Sequence, residues 1–102
     1  MIDTNEFYEV FKHRIKWCDK NLIVVKKKME TSSDKYFLKL KNMLLEYQRD
    51  CRIACRRIEL LNKKYENLNK APSEVQTDLK ETLAAIRFTK YADLDGHLKG
   101  SP

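Results

Sequence analysis

The chain has 102 residues, 42% of them hydrophobic and 35% charged, with 21 Lys+Arg against 15 Asp+Glu for a formal charge of +6. That length allows one domain with a single core and leaves little room for a deep catalytic cleft. Two Gly and two Pro, none before Pro72, argue against many-stranded, collagen-like and linker-rich architectures.

Helical periodicity runs from Thr4 to Tyr91, and no stretch alternates with the two-residue period of a strand, so the chain reads as all-α. A first helix is predicted over about 4–30, with Asp3 or Thr4 as N-cap and Glu6 supporting the first turn. Its apolar positions Phe7, Phe11, Ile15, Cys18, Leu22, Val25 and Met29 fall on one face. A second stripe of Val10, Trp17 and Val24 widens that face enough to touch two neighbours. Thr31-Ser32-Ser33-Asp34 then favours a turn, because these side chains compete for backbone hydrogen bonds.

The second helix is predicted over 34–69. Phe37, Leu40, Leu44, Tyr47, Cys51, Ala54, Ile58, Leu61, Tyr65 and Leu68 alternate steps of three and four, as a heptad seam requires. Pro72 breaks the pattern. A third helix is predicted over 73–92, with Ser73 and Gln76 at capping-box spacing. Val75, Leu79, Leu83 and Ile86 form its apolar face, joined by Phe88 and Tyr91. Asp95-Gly96 reads as a stop signal, and 93–102 as a frayed tail. Short polar connections between three long amphipathic helices imply one elongated up-down-up three-helix bundle over 1–102. Its expected core includes Phe7, Phe11, Trp17, Leu22, Leu40, Leu44, Ile58, Leu61, Leu79, Leu83 and Ile86.

Trp17 inside the first helix, the stretch Arg57-Ile58-Glu59-Leu60-Leu61-Asn62 running on to Leu68, and Val75, Leu79 and Leu83 after the turn carry a resemblance. In these positions the chain resembles a spectrin repeat, a three-helix rod module, with Phe88 near the place of that family's second Trp. The resemblance implies a non-catalytic interaction or scaffold role in an intracellular assembly of cytoskeletal type. A fainter one runs from Arg87-Phe88-Thr89-Lys90-Tyr91 to Leu98, similar to the end of the helical C-terminal domain of chromodomain helicases, a DNA-binding module.

Charge is uneven: seven bases and one acid lie between Lys12 and Lys28, whereas four bases face five acids from Pro72 onward. On the second helix Arg49, Arg52, Arg56 and Lys63, beside Arg57 and Lys64, form a basic rail. Such a rail suits an acidic protein, phosphates at regular spacing or an anionic surface, and a solvated helix face is the plain alternative. The readings carried forward are a protein-interaction module, a nucleic-acid-binding module using the same rail, and a homo-oligomeric coiled coil, with a monomer favoured over an oligomer.

No apolar run approaches the ~20 residues of a membrane span, and the first residues lack the basic start and apolar centre of a secretory leader. Three cysteines, an odd number, favour a reducing compartment, so the expected location is intracellular, the cytoplasm before the nucleus. Cys51 and Cys55 share a helix face, the spacing of half a zinc site. Cys51 and Cys18 nevertheless fall on apolar seams, where small buried side chains belong. No nucleophile–base pair, glycine-rich phosphate loop or carboxylate dyad stands out, and the expectation is no enzyme activity, no metal and no cofactor.

Overall fold

The computed structural model describes residues 4–100; the proposed cap at Asp3 and the tail residues Ser101 and Pro102 lie outside them. Helix α1 spans Thr4–Thr31 and α2 spans Lys35–Lys64. The third rod comprises α3 (Ser73–Ala84), a π-helical stretch (Ala85–Lys90) and α4 (Tyr91–Lys99), following one another without interruption. No strand occurs among the described residues.

Contacts between the helices define their directions. Tyr8 hydroxyl donates to Glu59 and Gln48 reaches Ile15 and Asp19, so α1 and α2 are antiparallel. Arg57 pairs with Asp78, Lys90 with Asp50, and Tyr36 hydroxyl donates to the His97 carbonyl, so the third rod is antiparallel to α2. The arrangement is the expected up-down-up bundle. Its extents of 52 × 19 × 16 Å and radius of gyration of 16.0 Å exceed the ~13 Å of a compact chain of about 100 residues, which makes it a rod.

Each end of α2 has a local cause. Asp34 takes an extended conformation and its carboxylate accepts from the Tyr36 N–H at 2.9 Å, while Ser32 Oγ accepts from the Asp34 N–H. At the other end the helix stops at Lys64, five residues before the predicted boundary. Tyr65 caps it, Glu66 adopts a left-handed φ of 62°, and Asn62 Oδ1 accepts from the Leu68 N–H across the turn. Leu68 is buried all the same, now from a short 3-10 turn, Leu68–Lys70, capped by Asn67. The heptad count ran on past the helix because the chain folds Leu68 back onto the core.

Of the expected core residues, Phe11, Leu22, Leu40, Leu44, Ile58, Leu79, Leu83 and Ile86 are buried, and Phe7, Trp17 and Leu61 are partly buried at its margin. Three expectations for the third rod are corrected. The first concerns its start: Ser73 does not cap it, because Pro72 occupies the cap position without a side-chain bond. The Gln76 amide instead donates to the carbonyls of Asn69 and Ala71, tying the loop to the helix.

The second concerns its end. The segment 93–99 is helical, not a frayed tail, because Leu94 is 2% exposed in the core and Asp95 pairs with Lys99 one turn on. Asp95-Gly96 therefore does not stop the helix. The third is Phe88, which is 58% exposed and not on the apolar face. Leu79, Leu83, Ile86, Tyr91, Leu94 and Leu98 face the core in steps of four, three, five, three and four. The step of five is one residue too wide for an α-helix, and the π-helical stretch from Ala85 to Lys90 absorbs it.

Candidate functional site

Two features stand out chemically: a polar knot at the centre of the bundle and an uncovered strip along α2. In the knot, Arg14 Nη1 donates to Tyr47 hydroxyl at 2.9 Å and to the Arg87 carbonyl at 3.1 Å. Tyr47 hydroxyl donates to the Ile86 carbonyl at 2.9 Å. A change from α to π winding leaves main-chain carbonyls short of ladder partners, and these side chains satisfy two of them. The Arg14 guanidinium lies 3.4 Å from the centre of the Tyr91 ring, and Trp17 meets the same ring edge-on at 5.2 Å. Three helices are thereby joined through one cation. Burial pushes the Tyr47 phenol well above its ordinary value, so it stays a neutral donor.

The thiols are inert by the same physics. Cys18, Cys51 and Cys55 are buried and unbridged. Burial pushes Cys18 up to about 12 and Cys51 up to about 11, and raises Cys55 as well. At neutral pH all three therefore stay protonated, the form that does not attack carbon.

The strip is built by α2 alone. Leu38, Leu45, Ile53 and Leu60 are 47%, 43%, 54% and 51% exposed. At ~100° per residue they share an arc of about 80° on the side of α2 turned away from its buried seam. Widened to about 100°, the arc also takes in Lys35, Asn42, Arg49, Arg52, Arg56 and Lys63, all exposed, and its carboxylates stand only at the flanks, Glu46 on one side and Glu59 on the other. Arg52, Ile53, Arg56, Arg57, Leu60 and Leu61 line a shallow, largely apolar groove along one edge of the strip.

The sequence-predicted rail thus divides. Arg49, Arg52, Arg56 and Lys63 lie along the strip, and none of them joins the ion pairs among the described residues. Arg57 turns toward the third rod, where its guanidinium holds Asp78. Lys64, at the helix end, sits 5.3 Å over the Tyr65 ring. The four exposed apolar residues went unnoticed in the sequence because each is within one residue of a seam residue and vanished into the seam's count. Arg14 was hidden within the basic run of α1.

No family model matches the chain, and neither a curated protein nor a solved structure does. No helix among the described residues is long and apolar enough to cross a membrane.

Proposed function

We propose that the chain is a non-catalytic protein-interaction or scaffold module, a spectrin-repeat-like rod within an intracellular assembly of cytoskeletal type. The observation that carries this reading is the strip on α2, where exposed aliphatic side chains alternate with exposed cations. A solvated helix face has no use for four large aliphatic residues in one line, and such rows on a surface mark sites of association. The rod contributes length and rigidity, and the cations contribute steering and orientation.

A comparison of two baits tests it. Wild-type protein and the Arg52→Glu/Arg56→Glu variant are immobilised and exposed to the same cell extract, with and without nuclease treatment. The proposal expects a protein retained by the wild type and lost from the variant. Equal retention on both baits, or retention that disappears on nuclease treatment, contradicts it and in the second case favours the nucleic-acid reading.

A further inference from the structure

The strip also specifies the chemistry of its occupant, an inference that rests on the interaction reading above. We infer that it receives an acidic amphipathic helix from another protein, which lies along α2 as a fourth helix with its apolar stripe on Leu38, Leu45, Ile53 and Leu60. Spacing points to a helix. The four residues follow one another at intervals of seven, eight and seven, close to the two-turn repeat at which one helix meets another. From Leu38 to Leu60 the strip is about 33 Å long at ~1.5 Å per residue, a length that about 22 helical residues cover.

Charge points to an acidic one. The same arc carries Lys35, Arg49, Arg52, Arg56 and Lys63, with carboxylates only at its flanks, so a partner bearing Asp and Glu beside its apolar stripe meets an opposite charge along its length. A second copy docking through the same strip brings those cations against one another, which opposes pairing. A phosphate backbone gains from the cations and leaves the four aliphatic residues in water. Anionic membranes reward aliphatic side chains gathered with interfacial aromatic residues, and this arc has no Trp, Tyr or Phe.

The test uses a fluorescein-labelled synthetic peptide of about four heptads, with Leu at the core positions and Glu at the flanking ones, and a twin in which Lys replaces Glu. Fluorescence anisotropy is recorded at near-physiological salt with wild-type protein, Arg52→Glu/Arg56→Glu and Ile53→Ser/Leu60→Ser, each checked for helicity by circular dichroism. All four substituted side chains are exposed, so the fold is retained. Wild type is expected to bind the Glu peptide and not the Lys peptide, and the charge reversal, which leaves three cations beside two carboxylates on the arc, to weaken Glu-peptide binding. The serine pair is expected to weaken Glu-peptide binding by roughly tenfold or more.

Equal binding of both peptides, no binding of the Glu peptide, or Glu-peptide binding indifferent to the reversal overturns the inference. Vesicles of phosphatidylcholine and phosphatidylserine that bind the wild type at the same salt, where the Glu peptide does not, overturn it in favour of a membrane. Should the Glu peptide fail while the bait comparison still yields a protein lost on reversal, the interaction reading stands and only the acidic-helix assignment falls.

Discussion

Removing one oxygen atom, in Tyr47→Phe, tests the polar knot without opening a cavity. The hydroxyl donates to the Ile86 carbonyl and accepts from Arg14, both at 2.9 Å. Loss of the first bond costs about 1 kcal/mol and loss of the charge-assisted one about 1.5 kcal/mol. The second figure is at the low end because Arg14 keeps the Arg87 carbonyl and the Tyr91 ring. The sum of about 2.5 kcal/mol lowers the melting temperature of a domain this size by about 10–20 °C. Urea denaturation followed by circular dichroism measures the free energy, and a double-mutant cycle with Arg14→Met isolates the pairwise part, expected near 1 kcal/mol. A loss below about 0.5 kcal/mol, or strict additivity of the two substitutions, refutes the claim that this knot ties the three helices together.

Trp17→Ala is expected to cost about 2–3 kcal/mol, less than the ~3–5 of a fully buried aromatic residue, because Trp17 is partly exposed against Tyr91; an unchanged melting temperature contradicts this packing. Gly96→Ala is expected to stabilise the protein by up to about 1 kcal/mol, since Gly96 is inside α4 and an added Cβ meets nothing within 4 Å. A lower melting temperature for that variant shows that the chain does not continue as a helix through Gly96. Stability is expected to fall in alkali. Cys18 and Cys51 hold their protons in the fold up to about 12 and about 11, against 9.0 for the unperturbed thiol. Their contribution is complete below 9.0 and is lost as pH rises through the folded values. Urea midpoints under reducing conditions at rising pH follow the decline, and Cys51→Ala is expected to flatten it; an unchanged pH dependence in that variant contradicts the assignment.

How far the residues announced the structure depends on whether a feature was periodic. The α2 seam was legible because Phe37 to Ile58 repeat without a fault and bury as a row. Its end was not, since Leu68 kept the count while Asn62, Glu66 and Asn67 turned the chain. The third rod was misread through one number, the step of five from Ile86 to Tyr91. Continued as an α-helix at ~100° per residue the rod carries Tyr91 about 120° away from Leu79, whereas a π-helical stretch restores Tyr91, Leu94 and Leu98 to the apolar face. Gly96 looked like a terminator only while Leu94 had no burial to hold the helix. Gln48, 3% exposed and bonded to Ile15 and Asp19, carries no sequence signature at all.

The rail illustrates the other limit. Its cations were plain in the sequence, but their value depends on what lies between them. Only the folded helix shows that Leu38, Leu45, Ile53 and Leu60 share their arc, and that Arg57 leaves it for Asp78. Cations alone favour no class of partner; cations interleaved with aliphatic residues favour a protein.

A surface built for side chains and one built for a phosphate backbone respond differently to salt. The most direct measurement is fluorescence anisotropy of a labelled random-sequence DNA duplex titrated with the protein at low and near-physiological salt. Whatever duplex binding occurs at low salt is expected to be gone at near-physiological salt. Duplex binding at micromolar protein that survives near-physiological salt and is abolished by Arg52→Glu/Arg56→Glu contradicts it.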